Sequence, residues 1–381
     1  MKLMRKNALA SLIASSLLSL SAAAVAASFQ ANVLVTDNQS ANAGQVTDPN
    51  LVNNWGLSYS PTGPFWASAN GTGKSTVYTV NPSTQVTAVS SLVVSIPGDG
   101  SVTGQVYNAN ASSFNGDRFL FVSEDGTVSG WRGGAPFGNN AETLQASSAS
   151  NVYKGSAIST INGTSYLYAA NFKNGSIDVM KGTAGTPSLA GSFTDPYLPT
   201  GTGYAPFNVQ NLGGTLYVAY AQHDSTGMNE VAGAGRGFVD AFDLQGNFLN
   251  RVATGGTLNA PWGLAIAPSS FGAISGSLLV GNFGDGTISA FGLGSNTYLG
   301  QIQAANGTPL VIDGLWALTP GNGGSAGSSS LLYYSAGPNA EAHGVLGVLT
   351  PVPEPTTALL WVFGVGLVAV RRFAGQVRYP E

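Results

Sequence analysis

Cysteine is absent from the 381-residue chain, which excludes disulfide staples, thiol catalysis and cysteine-ligated zinc. Charge is scarce: Asp, Glu, Lys and Arg together make up 8% of the sequence. What charge there is leans acidic. Between Ser28 and Thr350, eight basic residues face sixteen acidic ones, leaving a net charge near −8. Such a body repels phosphate backbones and makes nucleic acid a poor partner. Histidine occurs only as His223 and His343, about 120 residues apart, so a histidine-based triad or metal site has little to draw on. The one G-x-S-x-G match, Gly323–Gly327, opens no helix and lacks the strand–turn–helix setting of a nucleophile elbow. Ala232–Gly237, AGAGRG, contains no G-x-x-x-x-G-K and follows no βαβ pattern, which argues against a phosphate loop. Against these absences stand 52 glycines and a hydrophobic content of 43%. They favour a compact all-β body with many tight turns over a disordered chain.

The two ends read as an address. Lys2, Arg5 and Lys6 precede an apolar run, Ala8–Leu20, and a small-residue tract, Ser21–Ala27. This is the three-part pattern of a secretory signal peptide with a cleavage site before Ser28; a signal anchor is the alternative. At the other end, Val352-Pro353-Glu354-Pro355 precedes the apolar run Ala358–Val370, which Arg371 and Arg372 follow at once. As a helix that run spans roughly 20 Å against a bilayer core of about 30 Å, and its flanks extend it to a transmembrane helix over 357–370. The paired arginines hold its end on the cytoplasmic side and leave the body outside. The order Pro353-Glu354-Pro355, apolar helix, Arg371-Arg372 resembles the PEP-CTERM sorting signal of Gram-negative bacteria that make exopolysaccharide. The resemblance implies an exosortase-type membrane protease as partner. It also implies transient anchoring in the inner membrane and a final address at the cell surface or outside it. The tail Phe373–Glu381 departs from the family's usual ending, and an ordinary C-terminal anchor is the alternative. The plan is thus a signal peptide (1–27), a body (28–350) and a sorting segment (351–381).

The body repeats. Asn259–Leu293 reads as three short strands separated by turns, and variants of it recur. Val77, Val128, Ile177, Val239, Ile288 and Val345 occupy one register position, at intervals of 51, 49, 62, 49 and 57. Second strands align at Phe65–Asn70, Phe119–Glu124, Leu167–Asn171, Leu216–Tyr220, Leu278–Asn282 and Leu331–Ala336. First strands align around Trp55-Gly56-Leu57, Tyr107-Asn108-Ala109, Ser156-Ala157-Ile158, Phe207-Asn208-Val209, Trp262-Gly263-Leu264 and Leu315–Leu318. These periods predict a six-bladed β-propeller of four-stranded blades around a channel. Outer strands read at Val86–Val94, Ser188–Phe193, Phe248–Val252 and Tyr298–Gln303. The sixth unit lacks one, and Ala31–Thr36 has the alternation to supply it and close the ring.

Pro261-Trp262-Gly263-Leu264-Ala265, followed by a Leu-Val-Gly-Asn-Phe strand, is similar to NHL-type and gluconolactonase-like six-bladed propellers. The body from Val33 to Thr350, with its VTDNQ and NNWGLSYSPTGPFW stretches, looks like a bacterial family of secreted propellers that often end in PEP-CTERM. In such folds the starts of the first strands line one channel mouth, which here places Asn54, Trp55, Asn108, Asn208, Trp262, Asp313 and Trp316 there. Resemblance to the gluconolactonase-like group implies Ca²⁺ held by Asn208 and Asp313 beside Glu124. Alternatively, Asn and Asp at strand starts bond neighbouring backbone and shape turns. Trp55, Trp262 and Trp316, with Phe207 and Tyr107, form either a stacking platform for sugar rings or packing between blades. The expected function is a secreted, non-enzymatic binding or scaffold propeller associated with an exopolysaccharide matrix. Its rivals are a metal-dependent lactonase-like hydrolase at the channel mouth and an adhesive protein using Gly-rich loops such as Gly321–Ser330.

Overall fold

Turn residues that favour left-handed backbone cut this chain into short strands: Gly73, Gly126, Gly175 and Gly286 all have positive φ just after a blade's second strand. The computed structural model describes residues 28–352, in which the strands form six antiparallel blades. Blade 1 comprises Asn54–Ser58, Phe65–Ala69, Lys74–Val80 and Thr87–Ser95; blade 2, Val102–Tyr107, Phe119–Ser123, Val128–Trp131 and Glu142–Gln145. Blade 3 comprises Tyr153–Ile161, Thr164–Asn171 and Ser176–Lys181; blade 4, Tyr204–Leu212, Thr215–Gln222, Phe238–Phe242 and Phe248–Thr254. Blade 5 comprises Pro261–Ile266, Leu278–Asn282, Ile288–Phe291 and Tyr298–Gln301; blade 6, Leu315–Pro320, Leu332–Ala336 and Val345–Val352. Each inner strand packs against the inner strands of its two neighbours, and blade 6 meets blade 1. The result is the expected six-bladed propeller, with apolar clusters between successive blades.

The N-terminal strand completes blade 6. Ser28–Thr36 pairs antiparallel with Val345–Val352, from Ser28 opposite Val352 to Thr36 opposite Val345. Phe29, Leu34 and Val35 bury their side chains in the seam. Asn32 Nδ2 donates to Thr350 Oγ1 at 3.0 Å, and the Asp37 carboxylate takes the Gly344 N–H at 3.0 Å and pairs with His343. The seam therefore combines a backbone ladder, apolar burial and a polar lock.

Three strand assignments differ from the sequence pattern. Blade 3 has no fourth strand, because the backbone of Ser188–Phe193 turns to blade 4 instead. Gly191 N–H donates to Gln245 O at 2.9 Å and Phe193 N–H to Gly246 O at 3.0 Å, while Phe193 itself is left-handed at φ 54°. Arg251 of blade 4 holds the continuing loop by bridging the buried carboxylates of Asp195 and Asp240. In blade 2 the inner strand is Val102–Tyr107, so Asn108 follows it rather than sitting within it. In blade 5, Gln303 and Ala304 leave the outer strand to pair with Ser28 and Phe29. Among the described residues no helix is long and apolar enough to cross a membrane. The signal peptide, the helix over 357–370, and Pro353, Glu354, Pro355, Arg371 and Arg372 lie outside the described residues.

Removing Ser28–Asn38 is expected to expose the Val345–Val352 edge and lower the melting temperature by more than 10 °C, or to cause aggregation. Thermal unfolding followed by circular dichroism checks this, and an unchanged melting temperature contradicts it.

Candidate functional site

The channel is built by a shared irregularity. In all six inner strands the pairing with the second strand slips near the start: at Trp55-Gly56, Thr103-Gly104, Lys154, Phe207, Trp262 and Trp316-Ala317. A bulge bends the strand and re-aims the extra side chain. Here it sends residues from different blades to one place on the axis. Trp55 stacks on Trp316, with centroids 3.6 Å apart. Trp262 meets both edge-on at 6.3 and 5.8 Å, and Phe207 lies 5.9 Å from Trp316. The Trp262 indole N–H crosses from blade 5 to blade 3, donating to Lys154 O at 3.0 Å.

Just after the bulged residue, in four of the six blades, the inner strands approach too closely for a side chain. A Cβ on Gly56 would meet Thr103 O at 2.6 Å, one on Gly104 would meet Ser156 N at 2.6 Å, and one on Gly263 would meet Trp316 O at 2.7 Å. Gly155 stands in the same way against Asn208. Asn208 occupies the equivalent place in blade 4, where its Nδ2 donates to Trp262 O at 2.7 Å and its Oδ1 accepts the Val209 N–H at 2.8 Å. Its carboxamide stitches blade 4 to blade 5.

Above the indoles lies a polar layer. Lys154 is 2% exposed, ion-paired to Glu124, with its Nζ 5.2 Å from the Trp55 ring centroid and 5.8 Å from that of Phe172. Glu124 also accepts from Asn70 Nδ2 at 3.1 Å. Asn53 Nδ2 donates to Glu341 at 3.0 Å, while its Oδ1 accepts the Trp316 indole N–H at 3.2 Å. Glu230 completes the layer: burial raises its carboxyl pKa, with Lys154 opposing the rise. Burial, reinforced by Glu230 and Glu124, pushes the Glu341 carboxyl up to about 7, with Lys154 and Asn53 opposing. Glu341 ends a run of three left-handed residues, Asn339, Ala340 and Glu341, with φ of 57°, 52° and 67°. Such backbone costs roughly 1–2 kcal/mol per residue and persists where surrounding contacts fix it.

The sequence-predicted residues fall into different places. Trp55, Trp262 and Trp316 do meet, but at 0–2% exposure; Trp55 and Trp316 stack and Trp262 packs edge-on against both, so no sugar ring reaches their faces. Asn54 is fully buried, and its Nδ2 donates to Val345 O at 3.0 Å across the seam between blades 1 and 6. Asn108 and Tyr107 stand at the other end of the channel, where Asn108 Nδ2 donates to Asp117 O at 2.8 Å and shapes a turn. The proposed calcium ligands each have separate partners. Asn208 is committed to Trp262 and Val209, Asp313 Oδ2 accepts the Asn339 N–H at 2.8 Å, and Glu124 pairs with Lys154. Among the described residues no group of three His, Asp or Glu side chains is arranged to hold a metal ion. Lys154, Glu230, Glu341, Asn53 and Asn70 were not singled out by the pattern. Two signals pointed to them: Lys154 is a charge where most other repeats carry an aromatic, and the 62- and 57-residue intervals contain the long loops bearing Glu230 and Glu341.

Two outcomes follow from this geometry. Trp316→Ala is expected to cost about 3–5 kcal/mol of stability, read from denaturant unfolding. Glu341 keeps its proton in the folded chain up to about pH 7, whereas the unfolded chain loses it near 4.5. Stability therefore falls as pH rises between those values and carries a constant penalty above them. Glu341→Gln is expected to flatten that slope and to add on the order of 1 kcal/mol at pH 8 after allowance for solvent screening. Urea unfolding across pH 4–8 checks it; a slope equal to that of the parent contradicts it.

No family model matches the chain. Uncharacterized protein R648 of Acanthamoeba polyphaga mimivirus is 32% identical over 306 residues, which cover 76% of this chain and 73% of that protein. Uncharacterized protein L690 of the same virus is 36% identical over 203 residues, 52% of this chain and 51% of that one. Among solved structures, a Penicillium chrysogenum α-L-arabinanase complexed with arabinobiose superposes with a TM-score of 0.50 at 12% identity, over 85% of this chain and 98% of that one. At that identity the likeness concerns the fold alone. The viral match instead runs through most of both chains, and on that ground the protein belongs to the family of mimivirus protein R648.

Proposed function

We propose that this propeller is an exported binding or scaffold protein of the cell surface or extracellular matrix rather than an enzyme. The observation that carries the reading is the commitment of the mouth to the fold. Lys154, Glu124, Asn53, Asn70 and Glu341 bond to one another or to the indole beneath, and the axis below is filled by Trp55, Trp262 and Trp316. Groups held this way stabilise and orient the inner strands instead of meeting a substrate. The address rests on the termini: residues 1–27 as signal peptide, and Pro353-Glu354-Pro355, the helix over 357–370 and Arg371-Arg372 as a PEP-CTERM segment. An exosortase-type protease would process that segment, and exopolysaccharide is the surrounding matrix.

A hydrolytic reading has one observation in its favour. Glu341, its pKa pushed up to about 7, neighbours Glu124, which Lys154 holds as an ion pair. Two carboxyls with unlike environments are the arrangement acid–base catalysis uses.

Replacing Pro353, Glu354 and Pro355 with alanine in the producing organism is expected to trap the full-length chain in the membrane fraction, while the parent reaches the surface or medium. A parent chain found only in the cytoplasm overturns the export reading. Purified full-length protein is expected to leave lactones and aryl glycosides unchanged with or without added Ca²⁺. Turnover that disappears in Glu341→Gln establishes the hydrolytic reading instead.

A further inference from the structure

The channel has a second end, opposite the acidic mouth, where five inner strands surround a cavity of about 380 Å³. Its wall is made by the strand ends of blades 1, 2, 3, 4 and 6, just below the glycine ring. No charged side chain lines it, although the body carries sixteen acidic residues. The polar groups there are hydroxyls and carboxamides. Some are already used: the Tyr59 hydroxyl donates to Pro320 O at 2.7 Å, and Asn211 Nδ2 donates to Ile158 O at 3.0 Å. Others are not. Ser58 Oγ has no hydrogen-bond partner but is sealed inside the wall, out of reach of a ligand, whereas Tyr107 and Gln210 line the cavity.

These observations select a ligand class. An anion finds no cation in the wall, and a cation finds no carboxylate. An apolar ligand would desolvate the polar ends of Tyr107 and Gln210 without giving them partners, which costs about 1–3 kcal/mol for each buried group. A neutral molecule with many hydroxyls satisfies them, and its C–H faces can pack on the Tyr59 and Tyr107 rings. The volume lies at the small end of the range of about 300–1,000 Å³ for ligand pockets, which fits one or two rings.

We propose that this far-end cavity is a binding site for a neutral saccharide, one or two units of a chain end. The inference gives a place and a ligand class to the binding role proposed above, and rests on that reading. The aromatic plug makes the cavity blind, so a saccharide enters and leaves by the same opening.

Saturation-transfer NMR on the full-length chain, with glucose, galactose, mannose and cellobiose as probes and glucuronate and glucosamine as charged controls, tests it. At least one neutral probe is expected to bind and the charged ones are not. Ile158→Trp, which fills the cavity, is expected to abolish the signal. Tyr107→Phe combined with Gln210→Met, which keeps the shape and removes hydrogen bonds, is expected to weaken binding at least tenfold with an unchanged melting temperature. The double variant decides the matter if the tryptophan variant does not fold. Absence of binding by every neutral probe, or binding that both variants leave intact, overturns the site. Matrix association is scored separately: if it survives the double variant the matrix reading stands without this site, and if the site binds sugars in a chain that never leaves the cell, only the export reading fails.

Discussion

The molecule depends on one seam, the antiparallel ladder between Ser28–Thr36 and Val345–Val352. Each blade buries its faces against its neighbours, so a row of blades has two open flanks until the first and last meet. The seam converts that row into a ring, and it joins residues more than 300 positions apart in sequence. Pairing ends so far apart costs loop-closure entropy, which the intervening blades reduce by bringing the two strands together. Everything on the axis inherits this condition: Trp55 of blade 1 reaches Trp316 of blade 6 and Trp262 of blade 5 because the circle is closed.

Closure also explains why the same bulge recurs. Six inner strands converging on an axis leave a space too wide for backbone alone and too narrow for six full side chains. The bulge places one side chain per blade into that space, and the following residue is Gly in four blades, Asn208 in the fourth and Ala317 in the sixth. Which side chain is placed varies by sector. Blades 1, 4, 5 and 6 contribute Trp55, Phe207, Trp262 and Trp316, while blades 2 and 3 contribute Thr103 and Lys154. Thr103 donates to Tyr153 O at 2.8 Å, and the Lys154 amine reaches Glu124. A buried ammonium is tolerated because a carboxylate pairs with it and two aromatic rings face it.

The sixfold repeat and the second strands were legible in the sequence because short apolar runs, buried on both faces, lead into Gly-, Asn- or Asp-rich turns, and the closing strand because its residues alternate. Leu278–Asn282 matches its predicted bounds, and Ala31–Thr36 lies inside the strand that closes the ring. The inner strands were harder because a bulge breaks alternation by one residue. Blade 2, which has Val102–Tyr107 where its apolar pattern suggested Tyr107–Ala109, was displaced by half a strand, and Asn108 moved with it to the wrong end of the channel. The Trp55, Trp262 and Trp316 positions were recognised, but equivalence in a repeat does not distinguish an open platform from a filled axis; only the three-dimensional convergence does. Blade 3 was misread for a different reason. Ser188–Phe193 has strand-like composition, yet its backbone partners lie on the Gln245–Gly246 turn of the next blade, and no local pattern encodes a partner more than 50 residues away.

The two ends of the channel are chemically unlike, and the plug between them decides what that difference can mean. On one side three carboxylates surround a single ammonium, and the loop carrying Glu341 is held in three successive left-handed residues. On the other side the wall is neutral and includes a buried hydroxyl without a partner. Between them Trp55, Trp262 and Trp316 are almost fully buried and in contact, so moving one aside would forfeit several kcal/mol of packing. At that cost an opened axis is only a minor state, and the closed plug is what each end presents. The propeller therefore acts as two separate surfaces fixed back to back, one whose polar groups are spent on holding the ring and one whose wall also carries Tyr107 and Gln210.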